Sequence, residues 1–415
     1  MKKSIRPFEN VFSVISLLLF SNGFYSIILG ETVGQGDIDS PALRLAFIGI
    51  YFITISLLAF RWQRTLMFLS SHLWVLFLLG LALASISWSS VPEIAFRKVV
   101  ALIGGTLFAL YLGSSYDFKQ QLRIYGWTFG ISIFFSFLLA LALPQYGIMN
   151  TDAIVGAWKG IFPHKNGLGE SMFASFISFY FLSLLHKERR LFFQICCFLS
   201  VILIYFAESA TSLMSVLFIF VTAQGLKRLS LQSKKSVFLI LLFLIFTSLI
   251  LFLFLINFNT FLSVNGKDIT LSGRTLLWHT LWQFIQQKPL LGYGYGSFFS
   301  GQSRTAYLLW QIHDWSPVHS HNGYIQLWID LGLIGLVVFL LGYANCLFRS
   351  LYGYLASKDL KMLWIFLFLM YDLFSNCTEV SFFTGGNIWI ITLASLYSMK
   401  VKTQKTTPKI VASPS

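Results

Sequence analysis

The chain has 415 residues, 56% of them hydrophobic and only 11% charged, with a mean hydropathy of +0.73. That balance excludes a soluble globular protein of this length and defines a polytopic membrane protein. The net charge of +14 invites a nucleic-acid reading, but the basic residues are scattered over short turns with no RNA- or DNA-binding motif between them, so that class is excluded too.

In chain order, a basic segment with Lys2, Lys3 and Arg6 leads into an apolar run. No small-residue cleavage pattern follows and Leu29-Gly30-Glu31 opens a polar loop, so a retained first span is expected rather than a secretory signal. Stretches long enough to cross a hydrocarbon core of roughly 30 Å predict spans near 11–29, 43–60, 68–87, 98–113, 124–143, 169–185, 191–207, 211–226, 236–258, 331–348, 361–376 and 386–399. The expected fold is all-α, a polytopic membrane protein with about twelve transmembrane helices and one long extracytoplasmic loop containing short helices. It divides into helices 1–9 over 1–258, the large loop over 259–330, helices 10–12 over 331–399 and a cytoplasmic tail over 400–415. Cys196, Cys197, Cys346 and Cys377 have neither disulfide-framework nor metal-site spacing, and no internal repeat is evident.

Lys and Arg counts in alternate connections set the orientation. The amino-terminal tail, the turns near 61–64, 119–123, 187–190, 227–235 and 349–361, and the carboxy-terminal tail hold 21 basic residues, against nine on the other side. Both termini are therefore expected in the cytoplasm, and the net charge is mostly topological.

Nearly every polar motif then falls on the outward face. The connection over 259–330 is far longer than a compact protein normally uses, which marks a functional element. It carries Ser272-Gly273-Arg274, Trp278, the run Pro289-Leu290-Leu291-Gly292-Tyr293-Gly294-Tyr295-Gly296, His313-Asp314 and His319-Ser320-His321-Asn322. Two further outward connections hold Trp88-Ser89 with Pro92 and Arg97, and Pro163-His164-Lys165-Asn166-Gly167. Each has an ordinary explanation. Arg97 at a span start can snorkel to the interface, and His164, Lys165 and Asn166 can form a polar cap before a span beginning near Gly169. Arg274 can be the polar edge of an amphipathic interfacial helix over 274–287, whose apolar residues recur at helical spacing. The glycine-rich run lacks the Lys-Ser/Thr of a phosphate loop and the Thr-Val of a potassium filter, and reads as a plain turn. The loop histidines have no metal-site spacing, and Gly332 and Gly335 read as glycines that let a helix pack closely.

In combination and order, Trp88-Ser89 with Pro92 and Arg97, the glycines of 160–169, Arg274 with Trp278, the 289–298 run, and His321-Asn322 with Gly332 and Gly335 resemble the motifs of the O-antigen ligase/polymerase superfamily of bacterial envelope proteins. The resemblance runs from about Ser85 to Glu379. It implies a metal-independent glycosyltransferase with no cofactor, which moves a glycan from undecaprenyl diphosphate at the outer face of the cytoplasmic (inner) membrane. The implied acceptor is the next lipid-linked repeat unit in polymerases, or lipid A core in ligases. Ligases commonly carry a Ser-Arg pair where this chain has Glu208-Ser209-Ala210-Thr211-Ser212, with no arginine. That departure, and the His-Lys-Asn-Gly run, favour the exopolysaccharide/O-antigen polymerase branch over an O-antigen ligase. From another class, a polysaccharide permease or flippase also fits about twelve spans, with Asp372 and Glu170 as its ionisable candidates near the membrane interior.

A diphosphate is already a good leaving group, so the enzyme chiefly neutralises developing charge, orients the acceptor and takes its proton. By the resemblance, His321 and Arg274 are the expected catalytic residues, His321 acting as general base or as a positioning donor. Arg97, Lys165, Asn166, His164, Asn322 and Trp278 are the expected substrate-binding residues. The expected partners are the undecaprenyl-diphosphate-linked donor, a glycan or lipid-core acceptor, the bilayer and envelope-assembly proteins.

Overall fold

The structure, a computed structural model, describes residues 2–28, 40–70, 72–151, 154–229, 274–313 and 315–399. The expected span at 236–258, Lys234 and Lys235, Ser272-Gly273, Asp314 and the 400–415 tail lie outside the described residues.

Over the described residues the elements run α1 (Lys2–Phe20), α2 (Tyr25–Ile28), α3 (Pro41–Ala59), α4 (Trp62–Leu69), α5 (Leu73–Ala84), α6 (Pro92–Ser115), α7 (Phe118–Ala142) and α8 (Pro144–Gly147). A two-stranded antiparallel hairpin follows, β1 (Ile148–Thr151) and β2 (Ile154–Trp158). Then come α9 (Lys165–Leu185), α10 (Arg190–Phe206), α11 (Ala210–Arg228), α12 (Arg274–Gln287), α13 (Arg304–Ile312), α14 (Gly323–Ser357), α15 (Leu360–Ser375) and α16 (Asn387–Ser398). The protein is all-α and polytopic: among the described residues seven helices are long and apolar enough to cross a membrane. These are α3, α6, α7, α9, α10 with the turn before it, α11 and α14.

Among the described residues helices occupy the apolar runs with displaced ends, because apolar content marks a helix's buried middle and not its caps. The first helix starts near the amino terminus, since Glu9, only 2% exposed, is held by Arg6 at 3.3 Å and by Arg61 at the end of α3. A carboxylate drawn into the bundle needs such partners. α6 begins at Pro92, a residue suited to a first helical turn whose N–H is unused anyway. Arg97 therefore lies in its second turn. α9 begins at Lys165, capped by His164, whose Nδ1 accepts from the Asn166 amide at 3.2 Å. The helix predicted over 274–287 has those bounds, with Leu277, Leu281 and Ile285 buried.

Two features position the outward motifs. α9 packs against α7, α10, α11 and α15, so its first turn opens into the middle of one end of the bundle. α14 is broken at Gly332, where the backbone turns to φ +71° and ψ −175°. The expectation of a glycine that permits close packing is met here, with Leu290 as the neighbour: a Cβ at Gly332 would meet the Leu290 carbonyl oxygen at 2.0 Å, and the reversed backbone favours glycine as well.

The break exposes hydrogen-bonding groups that a continuous helix would satisfy internally. The 289–296 run fills it. The amides of Leu333 and Ile334 donate to the Pro289 and Leu290 carbonyls at 2.8 and 3.4 Å, and the Ile329 and Asp330 carbonyls accept from the amides of Tyr293 and Gly294 at 2.7 and 3.1 Å. Gly292, Gly294 and Gly296 all have positive φ, which makes this tight path possible. The glycine run is thus a turn, as its composition predicts, and a plug as well. Its other side rests on the Trp88-Ser89 connection: the Tyr295 amide donates to Ser85 Oγ at 2.9 Å and Gly294 packs on Ser89.

Candidate active site

The site forms where the first residues of α9, α11, α12 and α14 meet the connection from α15 to α16. Arg274, first residue of α12, donates from Nη1 to the Thr378 carbonyl at 2.7 Å and places Nη2 3.6 Å from Glu379 Oε1. Asn166 Nδ2 donates to the same Glu379 oxygen at 3.0 Å. Lys165 pairs with Glu208 at 3.7 Å, and Thr211 shares a 2.9 Å hydroxyl contact with Thr378. The interfacial-edge explanation of Arg274 therefore fails to describe it: the guanidinium points at a network drawn from four parts of the chain.

The histidine loop is built with equal care. Asn322 caps α14 by accepting the amides of Tyr324 and Ile325 at 3.0 and 3.1 Å, and its Nδ2 donates to the Cys377 carbonyl at 3.3 Å. Trp278, one turn into α12, donates from Nε1 to the Ser320 carbonyl at 2.8 Å. Asn322 and Trp278 thus act on the loop's shape. Between them His321 adopts a left-handed backbone, φ +51°, an uncommon state for a non-glycine residue. Its amide donates to His319 Nδ1 at 3.2 Å and the two rings lie 4.0 Å apart. His321 is 6% exposed, and its Nδ1 has no hydrogen-bond partner.

Electrostatics explain what such a cluster favours. Burial, with the charges of Lys165, Arg274 and Lys159, pushes the His164 imidazole down to about 4. Burial, Arg274 and His164 push His319 down to about 4. His321 is driven far below the usual histidine range by burial first, then by His319, Arg274 and His164. The imidazoles are accordingly neutral near pH 7, and Arg274 and Lys165, each beside a carboxylate, are the side chains here that suit an anion. Glu379 is the counter-charge. Burial raises its carboxyl above the ordinary range, while Arg274, Asn166 and Lys165 hold it back.

The predicted residues divide. His164, Lys165, Asn166, Arg274, Trp278, His321 and Asn322 converge as described. Arg97 lies on an exposed face of α6, where the next residue, Lys98, packs on Gly296. The sequence alone does not point to Glu379, Glu208 or Thr211. The one signal is the missing ligase arginine near 208–212, and the structure puts there a carboxylate that pairs with Lys165. Asp372, a candidate for a transport pathway, is fully buried and tied to Tyr343 at 2.6 Å, Ser381 at 2.9 Å, Asn376 at 3.0 Å and Thr392 at 3.4 Å. It is a satisfied structural group.

A polytopic helical protein with a cationic mouth is the class these features define. Comparison with known proteins narrows it. A family profile described as "O-Antigen ligase" matches residues 195–340, from α10 to the upper part of α14. The exopolysaccharide production protein ExoQ of Rhizobium meliloti is 24% identical over 321 residues, 74% of this chain and 72% of that protein. A protein of Rickettsia conorii named "Putative polysaccharide ligase" is 28% identical over 133 residues, 30% of this chain and 31% of that protein. A Rickettsia felis protein of the same name is 34% identical over 70 residues, covering 16% of this chain and 17% of that protein. The chain is thus similar to O-antigen ligases over its middle third and to an exopolysaccharide production protein over most of its length. Its seven long apolar helices among the described residues make it a multi-pass membrane protein.

Proposed function

We propose that the protein polymerises undecaprenyl-diphosphate-linked oligosaccharide at the outer face of a bacterial cytoplasmic membrane, adding a growing glycan to the next lipid-linked repeat unit. The observation that carries this reading is the gathering of Arg274, Lys165, Asn166 and three neutral histidines around one half-buried mouth. Guanidinium forks match phosphate oxygens, and a low-water site strengthens each contact. Arg274 and Lys165 hold the diphosphate and stabilise the charge that builds on it as the glycosidic bond breaks. His321 serves as the positioning donor, because its surroundings oppose the imidazolium that a base would become; a bound diphosphate stabilises the donating form further. The exopolysaccharide reading is supported by the breadth of the match to ExoQ, named for exopolysaccharide production, and the polymerase branch by the absence of a ligase-type arginine over 208–212.

Purified protein given a lipid-linked oligosaccharide is expected to lengthen it, and to do so in excess EDTA, since Arg274 and Lys165 take the work of neutralising the diphosphate. Activity lost in EDTA and restored by Mg²⁺ or Mn²⁺ would contradict the arginine-based account. In cells lacking the gene, single lipid-linked repeats should accumulate; long unattached chains instead would indicate a ligase.

The orientation has its own test. Gln302 lies exposed before α13, and Glu188 lies exposed between α9 and α10. With the four native cysteines replaced, Gln302→Cys should react with an impermeant thiol reagent on intact cells and Glu188→Cys only after permeabilisation. The opposite pattern would invert the protein and place the site in the cytoplasm.

A further inference from the structure

The donor side of the site is rich in cations, but the reaction also needs somewhere for a proton to go. Four carboxylates lie near the mouth among the described residues. Asp372 is saturated by its partners, as above. Glu208 is 48% exposed and paired with Lys165. Glu170, one turn below Asn166 on α9, has a buried Oε1 with no hydrogen-bond partner. Glu379 is the one in contact with the Arg274 guanidinium, is 22% exposed, and receives both of its contacts, from Arg274 and from Asn166, on Oε1. Its Oε2 takes neither.

We propose that Glu379 is the general base of glycan transfer, taking the acceptor hydroxyl proton on its carboxylate while Arg274 holds the donor diphosphate beside it. The inference rests on the lipid-linked transfer reading above and assigns a step that reading leaves open. As the acceptor oxygen attacks the anomeric carbon, the new C–O bond forms and the hydroxyl proton passes to Glu379. The bond from the anomeric carbon to the diphosphate oxygen breaks, and its electron pair leaves with the polyprenyl diphosphate. No other reactant is required.

The arrangement also links base strength to donor arrival. In the structure Arg274 and Lys165 draw down the proton affinity that burial gives Glu379. A diphosphate seated on Arg274 supplies compensating negative charge, so the carboxylate becomes a stronger base when there is a donor to use it on. His321 starts further from a base, because burial and then His319, Arg274 and His164 oppose a proton there.

The test uses the full-length protein with a lipid-linked oligosaccharide donor and two acceptors, the glycan hydroxyl and azide, which has no proton to lose. Glu379→Gln keeps the side chain's shape and an oxygen for Asn166 and Arg274. Hydroxyl transfer should fall by at least about 10²-fold, the lower end of what a positioned base contributes. Donor binding should hold or tighten, and transfer to azide should match wild type. Glu379→Asp should recover part of the hydroxyl transfer. Hydroxyl transfer surviving in Glu379→Gln, azide transfer failing together with donor binding, or the azide-selective loss appearing in Glu170→Gln instead would each overturn the proposal. A wild-type protein inert toward every lipid-linked donor would remove the transfer reading itself, which separates the two failures.

Discussion

Replacing His321 by alanine is expected to slow transfer by about 10²- to 10³-fold, the range measured when a single preorganised donor to developing charge is removed. Two effects must be separated, because His321 sits at φ +51°. Alanine is strained there, whereas asparagine tolerates the left-handed region better than most residues. His321→Asn therefore leaves the loop intact and isolates the imidazole. Both variants should lose transfer while still binding donor; a fully active His321→Asn would show that only the backbone shape matters. His319→Ala is not expected to be silent, since His319 Nδ1 accepts the His321 amide at 3.2 Å. Loss of a hydrogen bond worth about 0.5–1.5 kcal/mol gives a fall of roughly 2- to 13-fold. A dead His319→Ala beside a normal His321→Ala would move the site by two residues along the loop.

Arg274→Lys is the second large effect. The guanidinium makes two separate engagements in the structure, Nη1 with the Thr378 carbonyl and Nη2 with Glu379. An ammonium is a point charge on a flexible stem and cannot span both while also meeting a phosphate. Losing one charge-assisted hydrogen bond at about 1.5–3 kcal/mol corresponds to a fall of roughly 10- to 150-fold in transfer, with expression maintained. Arg274→Ala should be worse. If both variants turned over like wild type, Arg274 would return to being the edge of an interfacial helix.

Much of this architecture is legible in the amino-acid sequence, and the division follows physical lines. Helices show in the apolar runs, and α12 with both its ends, because amphipathic spacing and polar boundaries are local properties. The capping role of Asn322 appears only in the structure, while His321-Asn322 stands out through its spacing to Gly332 and Gly335. Glu379 does not, since an acid after an apolar span looks like any solvated helix end, and its meaning comes from Arg274, 105 positions earlier in the chain. The same holds for Glu208 with Lys165. Gly332 is visible but ambiguous, because a glycine that permits close packing and one that permits a reversed backbone are written with the same letter.

The break in α14 makes the 289–296 segment and the helix around Gly332 parts of one hydrogen-bonded unit. Evolution therefore has little freedom to exchange the large loop as a cassette between relatives with different glycan preferences. A donor loop must arrive with carbonyls and amides in register for the host's severed helix, or bring that helix along. Substrate range in such chains is then more readily altered at the loop's rim, around α13 and the surface of α12, than by wholesale replacement. Hybrid enzymes built for new polysaccharides should place their junctions below Gly332, within the unbroken lower part of α14.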